Sequence, residues 1–205
     1  FTSSFALADN KVPFTIFHTN DMHGRLGYEE YKGKPTSFGS AREKALIDKE
    51  KKENPNRTVI ALDAGDAFQG LPVSNQSKGQ DMAKAMNEIG YKAMAAGNHE
   101  FDFGLDTVEK YKNNPQNGGW LNFPILSTNV YKDGKRLFEP STIINENGVK
   151  IGIVGVTTPE TATKTNPTGI KGVTFKKPIP EVTNEITRIK DKVDFIAVLA
   201  HLGDD

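Results

Sequence analysis

Short apolar segments rich in β-branched and aromatic residues alternate along this chain with helical segments. Bounded by Gly, Pro, Asn and Asp, the apolar segments are FTIFH, TVIALDAGD, FPILSTNV, VKIGIVGVTT and DFIAVLAHL. The helical segments are SAREKALIDKEKKEN, QDMAKAMNEIG and IPEVTNEITRIKDKV. Because strands and helices recur in turn, the sequence predicts an α/β fold with a largely parallel or mixed sheet.

The helical segments differ in how clearly they mark a buried side. In QDMAKAMNEIG the apolar positions follow the spacing i, i+3, i+4, i+7, and Gly90 is a suitable C-terminal stop. In SAREKALIDKEKKEN we expect Ala41, Ala45 and Leu46 to form one side, with Pro55 ending the helix. Each helix is therefore expected to cover a face of the sheet.

Composition narrows the class of protein. A chain of 205 residues can bury one sizeable core, so we expect a single domain or most of one. The 26 basic residues balance 26 acidic ones, which argues against a nucleic-acid polymer as partner. With no cysteine, any metal must be held by oxygen and imidazole ligands. No apolar run reaches the roughly 18 residues of a transmembrane helix.

The residues at the two ends of the chain suggest a removed leader at the N-terminal end and a longer parent protein at the C-terminal end. Residues 1–10, FTSSFALADN, lack an initiating Met and contain Ala6-Leu7-Ala8, like the end of a signal peptide. They are interpreted as a leader remnant or a disordered tail, and residues 11–205 as the folded domain. If they are a leader remnant, the protein is exported. The chain stops five residues after the apolar run that ends at Ala200, so we expect a longer parent protein.

Polar residues follow the predicted strands at the points where the strands end. Asp21 and His23 follow the first strand, Asp66 the second, GNHEFD (residues 97–102) the stretch YKAMAA, and His201 the last strand. Ligands bind at this edge in open α/β sheets, since the loops converge there. Of the four histidines, only His18 lies within a strand, and it is interpreted as a packed or hydrogen-bonded strand residue.

A set of Asp, Asn and His side chains without sulfur indicates a particular kind of metal. Such ligands suit Zn²⁺, Mn²⁺ or Co²⁺, whereas Ca²⁺ prefers oxygen ligands alone. An Asp that bridges two such ions brings them to about 3.5–4 Å, the arrangement used for phosphoester hydrolysis. The sequence therefore predicts two divalent metal ions as cofactors.

Separated motifs give the chain a family resemblance. NDMHG, GDAFQG and GNHEFDFG, in this order, resemble the motifs of calcineurin-like metallophosphoesterases. FTIFHTNDMHGRL, LDAGDAFQG, STNV and GVTTPET further resemble the 5'-nucleotidase family, especially exported bacterial members such as cell-wall-attached, adenosine-producing enzymes. The resemblance extends from Phe14 to the last residue. It implies a four-layer α/β/β/α sandwich with mixed sheets, truncated at the C-terminal end.

The resemblance also implies a set of metal ligands. Asp21 and His23 would hold the first ion, Asp66 would bridge both ions, and Asn98 and His201 would hold the second. Members of the family supply a further ligand pair a few tens of residues beyond the position of His201, outside this sequence. They also carry a C-terminal nucleotidase domain, which would be the partner of this domain within the full-length chain.

The same resemblance implies the catalytic residues. His99 would stabilise the transferring phosphoryl group or protonate the leaving oxygen, and Asp102 would orient its imidazole. Asn98 and His99 would also contact the substrate. Glu100 is interpreted as a residue that makes local hydrogen bonds.

The implied reaction is hydrolysis of nucleoside 5'-phosphates, such as AMP, to nucleoside and phosphate, or stepwise trimming of ADP and ATP. The implied location is extracellular, cell-wall attached, or periplasmic in a cell with two membranes. Two alternatives stay open at this point. One is a 2',3'-cyclic-nucleotide phosphodiesterase with 3'-nucleotidase activity on the same scaffold, and the other is a non-catalytic surface interaction or metal-binding module.

Overall fold

A computed structural model describes residues 13–203 of the chain. The strands within this range are β1 (Phe14–Thr19), β2 (Glu29–Tyr31), β3 (Lys34–Ser37), β4 (Thr58–Asp63), β5 (Tyr91–Ala95), β6 (Ile125–Leu126), β7 (Val130–Lys132), β8 (Lys135–Arg136), β9 (Ser141–Glu146), β10 (Val149–Thr157), β11 (Val173–Phe175) and β12 (Phe195–His201). The α-helices are α1 (Ser40–Glu53), α2 (Pro72–Asn75), α3 (Gln80–Ile89), α4 (Leu105–Lys112), α5 (Thr161–Lys164) and α6 (Pro178–Ile189). Short 3₁₀ segments span His99–Phe101, Pro115–Asn117, Pro167–Ile170 and Lys190–Lys192. The predicted leader remnant lies outside the described residues.

Two main sheets carry the fold. The first has the strand order β1-β4-β5-β6, and all of its pairings are parallel. The second has the order β12-β10-β9, in which the central strand β10 is parallel to β12 and antiparallel to β9. A smaller sheet has the order β11-β7-β8, and β2 pairs with β3 as a hairpin. The expectation of parallel and mixed sheets is therefore confirmed.

Alternation along β4 shows how the layers stack. Ile60 and Leu62 belong to an apolar cluster that joins the first sheet to Ile151 and Ile153 of the second. The alternate residues Val59 and Ala61 point to the opposite face, where they join an apolar cluster with residues of α1, α3 and α4. Because successive strand residues face opposite sides, one strand serves both interfaces. On the outer face of the second sheet, α6 packs against β10. The four layers are therefore helix, sheet, sheet and helix, as predicted.

The carboxyl ends of the strands meet at one edge of the sandwich. In the first sheet Thr19 pairs with Asp63, so β1 and β4 end together. In the second sheet Thr157 pairs with His201. The hydroxyl of Thr157 donates a hydrogen bond to the carbonyl oxygen of Ala96, just beyond β5, at 2.6 Å. This bond ties the ends of the two sheets together and brings β12 to the loops of the first sheet.

Some details of the prediction are wrong. The buried residue of α1 is Ile47, whereas Ala41 and Ala45 are exposed and Leu46 is 57% exposed, because the helix lies with a neighbouring face against the sheet. His18 lies in β1 as expected, but it is exposed rather than packed.

Other details are confirmed. Met82, Met86 and Ile89 form the buried side of α3, and Gly90 ends that helix with a left-handed φ of 91°.

Among the helices within residues 13–203, none is both long and apolar enough to cross a membrane.

Candidate metal centre

Asp66 lies at the centre of the candidate site. It follows β4 by three residues and is 3% exposed. One carboxylate oxygen, Oδ1, accepts a hydrogen bond from the backbone N–H of His99 at 2.8 Å. The other, Oδ2, lies 3.3 Å from Nε2 of His201 and 4.0 Å from Nε2 of His23. One oxygen is therefore used to fix the side chain, and the other faces two imidazoles.

The loop after β1 runs alongside the loop that carries Asp66. Backbone N–H groups of Asp21, His23 and Gly24 donate in turn to carbonyl oxygens of residues 65, 66 and 67 at 2.8–2.9 Å. Nδ1 of His23 lies 2.8 Å from the carbonyl oxygen of Gln69. Since a carbonyl can only accept, Nδ1 carries the proton, and Nε2 is left to face Asp21 and Asp66.

His201 has the same arrangement on the opposite side of the site. Its Nδ1 lies 3.0 Å from the carbonyl oxygen of Ala64, and its Nε2 lies 3.1 Å from Oδ1 of Asn98. Burial alone would lower the pKa of His201, but the hydrogen bond and charge of Asp66 raise it to about 9. The carboxylate of Asp66 thus stabilises a positive charge at Nε2, the place that a metal cation would take.

Backbone conformation singles out two of the carboxylates. Asp21 and Asp66 have φ angles of 53° and 59°, in the left-handed region that non-glycine residues seldom adopt. Other non-glycine residues in this region each precede a glycine in a turn; these are His23, Lys32, Lys78, Asp133 and Asn147. Such conformations persist where the surroundings hold them, and they cluster at functional sites. Each aspartate follows a strand of the parallel pair β1–β4 and points its carboxylate into the same cluster.

His99 and Asp102 form a pair beside this cluster. Nδ1 of His99 lies 2.6 Å from Oδ2 of Asp102, so Nε2 is the nitrogen left to meet a ligand. The ring of His99 makes an edge contact with that of His23 at 5.4 Å between centroids. Asp102 is itself held by the hydroxyl of Thr165, which donates to Oδ1. Thr165 was not identified from the sequence, because it lies 63 residues further along the chain.

Two buried acids, Glu100 and Asp63, lie behind the loops. Burial, and then the nearby charge of Asp66, raises the pKa of Glu100, and the N–H of Asp66, which donates to its carboxylate, opposes this rise. Burial likewise raises the pKa of Asp63 to about 7.

A hydrogen-bonded chain explains how Asp63 is accommodated. Asp63 contacts the hydroxyl of Thr19 at 2.6 Å, Thr19 contacts that of Tyr91 at 2.7 Å, and Tyr91 bonds to Glu43. These three contacts need three protons, and the two hydroxyls supply two. One of the two carboxyls must therefore carry a proton, which agrees with the raised pKa values of Asp63 and Glu43, for both of which burial is the main cause.

The donor set fits the divalent ions expected from the sequence. Asp21, Asp66 and His201 offer ligand atoms within 4.8 Å of one another, and Nε2 of His23 adjoins them. Oxygen and imidazole ligands without sulfur suit Zn²⁺, Mn²⁺ and Co²⁺. The structure therefore shows a group of side chains that can hold a metal ion, and the other predicted residues, Asn98, His99 and Asp102, lie next to it.

Comparison with known proteins agrees with this geometry. Residues 14–205 match the family model for calcineurin-like phosphoesterases. The chain belongs to the calcineurin-like phosphoesterase family. It is 40% identical over 202 residues to a 5'-nucleotidase of Vibrio cholerae, a match that covers 96% of this chain and 35% of the relative. The match confirms the predicted resemblance to 5'-nucleotidases.

Solved structures show the same relationship. The crystal structure of a 5'-nucleotidase precursor from Thermus thermophilus has 33% sequence identity and a TM-score of 0.75, covering 92% of this chain and 37% of that one. The calcineurin-like phosphoesterase YfkN from Bacillus subtilis has 27% identity and a TM-score of 0.76, covering 93% of this chain and 62% of that one. The chain spans about a third of the length of the first relatives that it matches.

Proposed function

We propose that this chain is the catalytic domain of an enzyme that hydrolyses nucleoside 5'-phosphates, AMP among them, to nucleoside and phosphate. Asp21, His23, Asp66, Asn98 and His201 would hold two divalent ions, with Asp66 between them. The observation that carries the proposal is the position of Oδ2 of Asp66, which faces Nε2 of both His201 and His23 beside the His99–Asp102 pair. The match to 5'-nucleotidases supports the substrate class.

In this proposal the ions, when bound by these residues, would supply a nucleophilic water and charge neutralisation for phosphoryl transfer. The residues of the chain do the rest. Asp102 fixes the ring of His99, and Nε2 of His99 stabilises the transferring phosphoryl group or gives a proton to the leaving oxygen. The amide of Asn98 and the ring of His99 contact the phosphate. Asp66 is buried and bonded to the N–H of His99, so it fixes the position of this histidine relative to the ion site.

We further propose that this chain is one domain of a longer protein and that the protein is exported from the cytoplasm. Because the chain spans 35% of a 5'-nucleotidase that it resembles, we assign residues 11–205 to a metallophosphoesterase domain. A C-terminal domain of the same chain would hold the nucleoside and complete the ligand set. Residues 1–10 would be the remnant of an export leader, and the enzyme would act outside the cytoplasm or at the cell wall.

The test is phosphate release by the whole protein from a panel of AMP, ADP, ATP, 3'-AMP and 2',3'-cyclic AMP, with Mn²⁺, Zn²⁺ or Co²⁺ and with EDTA. We expect metal-dependent release that is fastest from the 5'-phosphates. The chain of 205 residues alone should hydrolyse AMP at least roughly a hundredfold more slowly, since positioning supplies much of the catalysis.

Faster turnover of 2',3'-cyclic AMP or 3'-AMP would assign the domain to cyclic-nucleotide hydrolysis instead. Absence of metal-dependent hydrolysis of every substrate would favour the non-catalytic alternative. A rate for the short chain equal to that of the whole protein would show that residues 1–205 contain a complete active site.

A further inference from the structure

Glu100 lies behind the proposed metal centre and is fully buried. Its carboxylate accepts three backbone hydrogen bonds from two different loops. Oε2 accepts from the N–H groups of Asp66 at 2.8 Å and Gly97 at 2.6 Å, and Oε1 accepts from that of Ala67 at 2.9 Å. Two of these contacts reach 33 and 34 residues along the chain, so Glu100 does more than the local bonding expected from its place after His99.

The bonds between the two loops are reciprocal. The side chain of Glu100 accepts from the backbone of Asp66, and the side chain of Asp66 accepts from the backbone of His99 through Oδ1 at 2.8 Å. Hydrogen bonds in both directions therefore join the loop after β4 to the loop after β5. Because Oδ1 accepts one of these bonds, the rotation of the Asp66 carboxylate is fixed, and Oδ2 points to His201 and His23.

These hydrogen bonds between the loops also hold the backbone of Asp66 in its left-handed conformation. A non-glycine residue with φ of 59° is in a strained backbone conformation, and here no following glycine relieves the turn. The N–H of Asp66 would lack a partner in this buried place if Glu100 did not accept it. Space is also tight, since a side chain on Gly97 would collide with Asp66 and with Oε2 of Glu100.

Only a carboxylate has the acceptors for this position. The three surrounding groups are all N–H donors, and a glutamine of the same shape would turn its NH₂ towards one of them. The amide oxygen could replace Oε2, but the NH₂ would then face the N–H of Ala67. The substitution therefore breaks one bond, adds a donor–donor contact and loosens the loop at Asp66.

We infer that Glu100 is a positioning residue for the bridging carboxylate, which sets the geometry and affinity of the metal centre without contacting an ion. The inference rests on the proposed function, since it requires that Asp66 binds metal. Residues that fix metal ligands in this way typically change metal affinity by roughly 10–100-fold when replaced. If Glu100 were only a buried structural residue, its replacement would mainly lower the stability of the fold. As a positioning residue, its replacement should weaken metal binding more than it lowers stability.

The experiment compares wild type, Glu100→Gln and Glu185→Gln. Glu185 is the matched control, a glutamate that is 2% exposed in α6 and bonded to Arg188 and Ser141, away from the site. Co²⁺ is added to each metal-free protein. Affinity is measured by calorimetry, coordination by the visible absorption of Co²⁺, and the fold by thermal unfolding without metal.

We expect Glu100→Gln to bind Co²⁺ roughly 10–100-fold more weakly with an altered absorption spectrum, and Glu185→Gln to match wild type in both. Unchanged affinity and spectrum in Glu100→Gln would overturn the inference and leave the proposed function standing. No Co²⁺ binding by wild type would overturn both. Equal losses of affinity in both variants would also overturn the inference, since they would show a general effect on the fold.

Glu100→Asp keeps the experiment decisive if the glutamine variant does not fold. It retains the charge but is one methylene shorter, so its carboxylate cannot reach both loops. Weaker Co²⁺ binding with a changed spectrum by folded Glu100→Asp supports the inference, and wild-type binding by it contradicts the inference.

Discussion

The two sides of the candidate metal centre are held in different ways. On one side, Asp66, Asn98 and His201 are largely buried, with side chains fixed by bonds to backbone and to each other. On the other side, the side chains of Asp21 and His23 are 49% and 28% exposed. Their backbone is tied to the loop at Asp66, but only His23 of the two is anchored through its side chain to a backbone carbonyl.

The difference separates a preorganised side from an open side. The buried side has its geometry before any ion arrives, because its polar groups are already satisfied by the fold. The open side is more exposed, so solvent can reach the centre from there. We therefore expect substitutions on the buried side to affect both fold and metal, and those on the open side to affect mainly metal and activity.

The largest contrast is expected between Asp66→Ala and Asp21→Ala. Asp66 would bind both ions in the proposed centre, so its loss should abolish binding of both and reduce activity to background. Asp21 serves one proposed ion at the exposed edge, so its loss should remove only the metal bound at that site. Metal content by elemental analysis, alongside phosphate release by the whole protein, measures both effects. Retention of both ions in Asp66→Ala would contradict the central place of this residue.

His99→Ala should separate chemistry from metal binding. Because His99 bonds through Nδ1 to Asp102 and is proposed to act on the phosphoryl group, turnover should fall by roughly 10² or more. Metal content should stay near the wild-type value. Steady-state kinetics and elemental analysis of the same preparation provide the measurement. Loss of metal in this variant would mean that His99 is a ligand.

Stability of the metal-free protein should distinguish His201 from His23. His201 contacts Ala64, Asn98 and Asp66, so His201→Ala should lower the free energy of unfolding by roughly 2–3 kcal/mol. The single carbonyl bond of His23 predicts about 1 kcal/mol for His23→Ala. Urea unfolding at neutral pH in EDTA tests the comparison. Equal losses would show that both sides are anchored alike.

The last prediction concerns the pH dependence of stability. Burial raises the pKa of Asp63 from its usual 3.8 to about 7 in the folded protein. The stability that this group contributes is thus fully present below pH 3.8 and is lost as pH rises through about 7, by up to about 4 kcal/mol. In metal-free Asp63→Asn that part of the pH dependence should disappear, because the amide has no proton to lose.

Thermal unfolding from about pH 4.5 to about pH 8 measures this effect, since the range spans the shifted pKa. Asp81→Asn serves as an exposed control that bonds to Lys84. A wild-type slope that persists unchanged in Asp63→Asn would show that Asp63 is ionised throughout this range.

The sequence indicated the candidate site residues more fully than the residues that hold them in place by hydrogen bonds. Asp21, Asp66 and His201 were found because each follows a recognisable apolar run, and parallel strands end at a common edge. The roles of Glu100 and Thr165 were not found, because their partners lie 33–34 and 63 residues away with no pattern that links them. The exposed Leu46 shows the same limit, since the face that α1 buries depends on the angle at which it lies on the sheet.

Local patterns in the sequence determined the strands, the main helices and the kinds of side chain at the strand ends. These depend on the chemistry of neighbouring residues, which any short stretch contains. Only the tertiary structure decided which oxygen of Asp66 faces the imidazoles, which histidine nitrogen is free, and which acid is buried behind them. Those features are set by hydrogen bonds between loops that follow different strands, and such bonds depend on how the strands lie next to one another in the folded protein.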